Sequence, residues 1–533
     1  MAIKSRKHAP TRFNQHIGAA LAVMLLPVAA QAADPAGQSA PASQQTLNEI
    51  KVVGSKENDF KAEKASSPKY TEDLVNTAQT IVVIKKELIE QQGALTLTDA
   101  LRNTPGVGTF FLGENGNTNT GDAVYMRGFD ASGSIYVDGV RDVGSISRDV
   151  FNIEQIDVLK GPAGTDSGRG SPTGSINLVS KTATMENKFN ALLTAGSGKQ
   201  KRATADWNRI IDADSGTAFR LNLMTQDSGN PARDEVKNKR WAFAPTVTFG
   251  IGKPTRITAS YLHVDQNNVP DGFVPTIGLP GYSTPDSITP TNKVIRTFLN
   301  SAAKVDPKNF YGSTADHDKV KADMATLRID HDFSPNVQIQ NTTRYGKTKQ
   351  DYLLTAFMGS TANLKTPVAT DPSTWTLARS LRTVKDQENT ILTNQTVVSA
   401  QFDTGVLKHS VVAGAEFTSE KQTNYGYVPA SLGTMPDANL YHPNPRDPVT
   451  GYQPVRSGAY SQGEVNTQSA YVFDTVKFGD KWIFNGGVRF DHFNTSYDAV
   501  TLQTAVAAGQ VQKLPVGTPI PVHITLNDTF ANG

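Results

Sequence analysis

Short segments in which apolar and polar side chains alternate recur along most of this chain, and that pattern restricts it to strands with one apolar face and one wet face. In residues 217–226, Phe219, Leu221 and Leu223 take one face while Arg220, Asn222 and Gln226 take the other. Trp241, Phe243, Val247 and Phe249 share a face; Leu327, Ile329 and His331 oppose Arg328, Asp330 and Asp332; Val337 and Ile339 oppose Gln338, Gln340 and Arg344. Val411, Ala413, Ala415 and Phe417 form another face, as do Trp482, Phe484, Val488 and Phe490, with Arg489 and Asp491 behind them. We count about 11 such strands of roughly ten residues, the length a tilted strand needs to cross a bilayer.

The connectors alternate in length. Short turns occupy 212–216, 250–254, 333–336, 404–407 and 478–481, and long polar segments cover 265–319, 351–386 and 421–464. Tight turns on one edge and extended loops on the other are the asymmetry of an outer-membrane barrel, with short periplasmic turns and longer extracellular loops. The loops of a soluble β-sandwich, the competing architecture, would not sort so cleanly. Arg328-Ile329-Asp330-His331 recurs as Arg489-Phe490-Asp491-His492, each placing an Arg and an Asp on one face where a polar lumen lets them pair. Nothing in the spacing makes those histidines metal ligands, Asp316-His317-Asp318 reads as a charged loop tip, and no metal site is assigned.

The N-terminus indicates export. Lys4, Arg6, Lys7 and Arg12 precede an apolar run at 17–28 and the small-x-small site Ala30-Gln31-Ala32, so residues 1–32 read as a cleaved signal peptide. The apolar run is shorter than the roughly 20 residues of a spanning helix, and no later stretch is long enough, so any membrane crossing must use strands. With 52 basic and 50 acidic residues there is no basic excess for a nucleic-acid partner. The absence of cysteine excludes a disulfide scaffold, a thiol nucleophile and a zinc site built on cysteine. No nucleophile, acid pair or metal cluster marks an enzyme.

Residues 33–56 form a flexible arm rich in Ala, Pro, Ser and Gln. It carries Glu49-Ile50-Lys51-Val52-Val53, either a first strand or a strand donor for another protein's sheet edge. An α+β segment, 57–184, follows, alternating short β and helical pieces: strand at 80–84, a helix-like stretch at 85–91, then Thr98-Asp99-Ala100-Leu101-Arg102 before Pro105-Gly106-Val107. Strands at 134–140, with its Asp138-Gly139 turn, 153–159 and 175–180 complete it. Gly161, Gly164, Gly168, Gly170 and Gly174 punctuate a loop that invites a phosphate-binding interpretation. That interpretation fails because no Lys-Ser or Lys-Thr closes the loop and a strand, not a helix, follows; the glycines serve tight turns.

Taken in order, these motifs resemble a TonB-dependent outer-membrane receptor of the catecholate-siderophore group. Glu49 to Val53 is similar to the TonB box. Met126-Arg127-Gly128-Phe129, Ile135-Tyr136-Val137-Asp138-Gly139, the run from Ile153 through Lys160-Gly161-Pro162, and Thr173-Gly174-Ser175-Ile176-Asn177 are similar to successive plug signatures. The resemblance spans residue 46 to about 497. It implies a mainly β fold: an N-terminal α+β plug domain inside a transmembrane antiparallel barrel of about 22 strands. About half of those strands are expected in 185–533, so the chain reads as a fragment of a receptor roughly 200 residues longer, its polar stretch after Tyr497 ending in an extracellular loop.

The resemblance also implies a ligand and partners. These are a ferric siderophore, expected to be an iron-catecholate, as transported ligand; outer-membrane lipid in a Gram-negative bacterium; and TonB with ExbB and ExbD supplying energy. No catalytic or covalent cofactor is implied. A receptor for a hydroxamate siderophore, haem or cobalamin is the alternative within the family, and a passive porin the alternative outside it, although a porin needs neither plug nor box. Ferric catecholates are anionic, so capture calls for guanidinium groups above the plug. Arg141, Arg148 and Ser147 near the plug apex and Arg127 in the Met-Arg-Gly-Phe motif are the candidates. Each arginine is open to either role, ligand contact or salt bridge within the protein.

Overall fold

The computed structural model describes residues 59–108, 121–162, 168, 172–282, 300–357, 364–368, 370–379, 381–479, 481–505 and 511–532. The expected signal peptide, the arm with its box at 49–53, and most of the glycine-rich loop lie outside the described residues.

The plug is a five-stranded sheet with two short helices. Its elements are β1 (Thr80–Lys85), α1 (Lys86–Gln91), α2 (Leu97–Leu101), β2 (Ile135–Val137), β3 (Val140–Arg141), β4 (Ile153–Lys160) and β5 (Gly174–Ser180). The sheet order is β1-β4-β5-β2-β3, antiparallel except for the parallel β2–β5 pair. Ile135, Ile156, Val158, Ile176 and Leu178 bury against Ile89 of α1 and Leu97 and Leu101 of α2. A capping box starts α2: Thr96 Oγ1 accepts from Asp99 N at 3.2 Å while the Asp99 carboxylate accepts from Thr96 N at 3.2 Å. Asp138 and Gly139 both take positive φ, 51° and 79°, the two-residue turn for which Asp-Gly is favoured.

The wall around the plug is one antiparallel meander. Its strands are β6 (Lys188–Gly196), β7 (Gln200–Asp212), β8 (Thr217–Asn230), β9 (Arg233–Phe249), β10 (Thr255–Asn268) and β11 (His317–Ser334), followed by β12 (Val337–Ala356), β13 (Leu381–Thr404), β14 (Leu407–Tyr427), β15 (Arg456–Phe478), β16 (Trp482–Leu502) and β17 (Pro519–Asn532). Each pairs with its neighbours in sequence, and β6 and β17 are the two edges of the twelve-stranded sheet.

Two expectations need correction. The polar stretch after Tyr497 does not end in a loop: β16 runs on to Leu502, and β17 follows, with Ile520, Val522, Ile524 and Leu526 alternating against His523, Thr525 and Asn527. Strands also exceed ten residues, reaching 24 in β13, because pairing continues beyond the apolar belt. The long connections lie where expected, at 269–316, 357–380 and 428–455, but two turns on that same edge, 197–199 and 231–232, are tight. The long loops bury a small core of their own, including Tyr311, Trp375, Leu377 and Leu440. Beside it the fully buried Arg379 donates to Pro436 O at 2.9 Å and Asn444 O at 3.1 Å.

Alternation sorts the wall as the sequence indicates. Leu223, Trp241, Phe417, Phe484 and Phe490 stand exposed on the outer face, whereas Arg220, Asn222, Gln226, Arg240, Arg344 and Arg489 are buried on the inner face. An outer surface this apolar suits hydrocarbon, and a polar inner face requires polar partners.

One glycine fixes the joint between β4 and β5. Gly174 has φ 135°, and a Cβ there would lie 1.9 Å from Leu159 O. Gly174→Ala should therefore destabilise the plug by about 1–3 kcal/mol. Limited proteolysis between β4 and β5 reads this out: the variant is expected to be cut faster, with the wall strands still protected.

Candidate functional site

The inner face of β7 to β9 meets the plug through a buried anion. The Asp149 carboxylate accepts from Arg202 Nη1 and Nη2, both at 2.7 Å, and lies 3.0 Å from Arg240 Nη2. Gln226 Oε1 accepts from the same two arginines at 2.8 and 3.0 Å. Further round, Arg344 of β12 enters the plug and donates to Val137 O at 2.5 Å and to Asp138 Oδ2 at 2.9 Å. The Asp138 carboxylate also accepts from Ser180 N at 2.7 Å, so the β2–β3 turn is tied to β5 and to the wall together.

The candidate arginines divide by environment. Arg148 is buried, with Nε donating to Asp142 at 2.6 Å and Nη1 to Asp122 at 3.1 Å. Burial works against its charge, but Asp142 and Asp122 outweigh burial and hold its pKa above the ordinary arginine value. Its guanidinium is spent inside the plug. Arg141 is different: its side chain is 30% exposed, its Nε donates to Gly133 O at 2.9 Å, and its Nη1 reaches both oxygens of Glu420 on β14 at 3.2 and 3.3 Å. Ser147 offers its backbone carbonyl to Gln266 Nε2 at 2.6 Å. Arg127 sits exposed in a tight turn with Gly128, both at positive φ, and its N–H donates to Gly106 O.

Several cavities lie between plug and wall, one of them, about 60 Å³, lined by Ser147 and Arg148 of the plug with Leu262 and Thr348 of the wall. The outer one, about 410 Å³, is lined by Arg141, Arg148 and 142–145 of the plug apex and by Gln387, Asn389 and Glu420 of the wall. Neither Arg127 nor Ser147 lines it. The inner one, about 170 Å³, is lined by 65–70, Asp157, Glu416, Thr467, Arg489 and Asp491, and again by Arg141 and Glu420.

A charge chain crosses the inner cavity. Lys69 donates to Glu416 at 2.8 Å, Arg489 to the other oxygen of Glu416 at 2.7 Å, and Arg489 Nε to Asp491 at 2.9 Å. Ser66 donates its N–H and Oγ to Asp157 at 2.9 and 2.5 Å. Burial pushes the Asp157 carboxyl up, against those hydrogen bonds. Sequence reasoning found the Arg489/Asp491 pair but missed Lys69, Glu416 and Glu420. The outward run Val411, Ala413, Ala415, Phe417 already implied an inward Glu416 and Glu420.

Comparison with known proteins places both bodies. Residues 73–175 match the TonB-dependent receptor plug domain, and 252–514 match the TonB-dependent-receptor-like β-barrel. The catecholate siderophore receptor Fiu of Escherichia coli K12 is 44% identical over 501 residues, covering 94% of this chain and 64% of Fiu. The crystal structure of the ferric-catecholate import receptor Fiu in its closed form superposes with a TM-score of 0.82 at 44% identity, covering 89% of this chain and 65% of that one. The open form gives 0.80 at 42% identity, covering 88% and 68%. The chain thus spans about two thirds of the length of these relatives.

Removing the anion at the first joint should be costly, because two buried guanidinium groups lose their shared partner. Asp149→Ala is expected to destabilise the folded protein by about 3–5 kcal/mol. Shifts in urea midpoint check this, with Glu464→Ala, a change on the outer face, as the near-neutral comparison.

Proposed function

The chain belongs to the TonB-dependent receptors, and on that basis we propose that it is an outer-membrane receptor that takes up ferric siderophores of the catecholate class. The observation that carries the proposal is similarity to a catecholate siderophore receptor that runs through plug and wall alike, over 94% of this chain. The outer cavity supports it. It is large enough to admit part of a small chelate, and it presents the one candidate guanidinium that combines partial exposure with a place on the cavity wall.

Arg141 is the ligand contact in this reading, and Arg148 holds the apex in shape. A ferric catecholate presents anionic oxygens, which a guanidinium meets with paired N–H donors. Uptake then requires energy from the inner membrane. TonB, working with ExbB and ExbD, captures the box at Glu49 to Val53 as an added strand and pulls on the arm that leads into the plug. The signal peptide at 1–32 delivers the chain to the outer membrane of a Gram-negative cell, where the apolar outer face of the strands meets lipid.

Two measurements test the proposal. Arg141→Ala should weaken ferric-catecholate binding by about 10- to 100-fold, the worth of a charge-assisted hydrogen bond. Arg148→Ala should instead lower stability, and equal binding losses without destabilisation would reverse the two roles. Val52→Pro removes a ladder donor from the box, so it should abolish uptake of radiolabelled iron while surface binding stays intact. Growth on single iron sources separates catecholate from hydroxamate, haem or cobalamin use.

A further inference from the structure

Four carboxamides on the inner face of the wall close a ring of hydrogen bonds. Gln387 Nε2 donates to Asn424 Oδ1 at 2.6 Å, Asn424 Nδ2 to Gln422 Oε1 at 3.4 Å, Gln422 Nε2 to Asn389 Oδ1 at 2.9 Å, and Asn389 Nδ2 to Gln387 Oε1 at 3.0 Å. The ring follows from register. Gln387 faces Asn424 and Asn389 faces Gln422 across β13 and β14, so adjacent cross-strand pairs present their side chains to one face. Gln387, Asn389 and Gln422 line the outer cavity.

We infer that this ring is a neutral recognition subsite of the outer cavity: its spare amide N–H groups take the carbonyl oxygens of an amide-linked catecholate, whose iron-bound oxygens turn toward Arg141. The inference rests on the siderophore reading for its ligand, and it narrows that ligand to complexes whose catechol rings carry a carboxamide.

Three observations support it. First, a carboxamide has two N–H donors. Each member uses one inside the ring, and none makes a second bond among the described residues. Gln387 and Asn389 are buried, so an acceptor reaches their spare donors through the cavity that they line. Second, the ring does not hold the plug. Elsewhere on the inner face Gln266 donates to Ser147 O and Lys385 to Ser145 Oγ, both at 2.6 Å, whereas none of the four carboxamides bonds to the plug among the described residues. Third, the spacing fits. Glu420, the partner of Arg141, precedes Gln422 by two positions on the same face of β14, a separation of about 7 Å along the strand. A dihydroxybenzamide unit is of that length.

Closure of the ring also sets how it discriminates. Side chains that satisfy one another stay ordered in the empty cavity, so ligand binding costs little further ordering. The ring carries no charge, and it therefore selects by the presence of an acceptor and leaves the attraction of the anion to Arg141.

The test compares two iron(III) complexes of equal charge, the tris complex of catechol and the tris complex of N-methyl-2,3-dihydroxybenzamide, each with free ligand in excess so that the tris form predominates. Affinities for the purified full chain are measured by isothermal titration calorimetry. The parent should bind the benzamide complex about tenfold or more tighter. Asn389→Leu and Gln422→Met, each close in size to the residue it replaces, open the ring and should lower that ratio to about threefold or less. A general loss of fold or of the Arg141 contact weakens both complexes together, so it does not imitate the change in ratio.

Equal binding of the two complexes by the parent would overturn the subsite and leave the siderophore reading standing. Variants that keep the parent's ratio would overturn it too, since that is the behaviour of a ring that serves only the wall. Should one variant fail to fold, the parent's ratio and the other position still decide. Binding of neither complex would overturn the siderophore reading and the subsite with it.

Discussion

Everything inside this wall depends on one requirement: a buried arginine on the inner face of the sheet must find an anion there, because its own charge is out of reach of solvent. Leaving a buried charge unpaired costs several kcal/mol, more than most single contacts return. Arg202 and Arg240 meet that requirement by sharing Asp149, Arg344 by entering the β2–β3 turn at Asp138, and Arg489 by lying between Glu416 and Asp491. Two of the three anchoring points are plug residues. The plug is therefore held by neutralisation of the wall as well as by apolar packing, and its position is fixed angularly, by which strand presents which charge.

That requirement also separates contacts that hold from contacts that yield. Fully buried pairs, such as Asp149 with Arg202 and Arg240, have no solvent to replace a lost partner. In the pair of Arg141 with Glu420 only the arginine is partly wetted, its side chain 30% exposed against 9% for the carboxylate. Lys69 with Glu416 has side chains 14% and 10% exposed, and it ties the plug segment 65–70 to the wall.

The same logic explains what the sequence revealed. Alternation placed Arg220, Arg344, Arg489 and Asp491 on the inner face, and the Asp138-Gly139 and Gly174 signals located turns that the backbone then took at positive φ. Pairing within a strand was readable too: Arg328 with Asp330 at 2.9 Å, and Arg489 with Asp491, follow from period two alone. Pairing between plug and wall was not. Which inward carboxylate faces Arg141 is set by the rotation of one body within the other, a quantity with no local signature. For the same reason Arg148 was indistinguishable from Arg141: of its two partners only Asp142 stands close to it in sequence, and Asp122 lies 26 residues away. Lys69 was missed because the stretch around it has no periodicity to read.

The placement of Glu416 and Glu420 constrains how the two halves of the seam can communicate. They sit four residues apart on one strand face, a separation of about 13 Å at the rise of an antiparallel strand. Between them β14 is hydrogen-bonded continuously to β13 on one side and β15 on the other, so the strand cannot change length or twist locally without breaking ladders on both flanks. The wall is therefore a ruler, and any signal between the outer pair and the inner one must travel through the plug. Its shortest covalent route is the β2–β3 hairpin: Arg141 is at one end, and the turn at Asp138 is tied to Arg344 and to Ser180. On β5, Asn177 Nδ2 donates to Ser66 Oγ at 3.0 Å and its Oδ1 accepts from Gly139 N at 2.8 Å. One side chain thus joins the hairpin to the segment that carries Lys69.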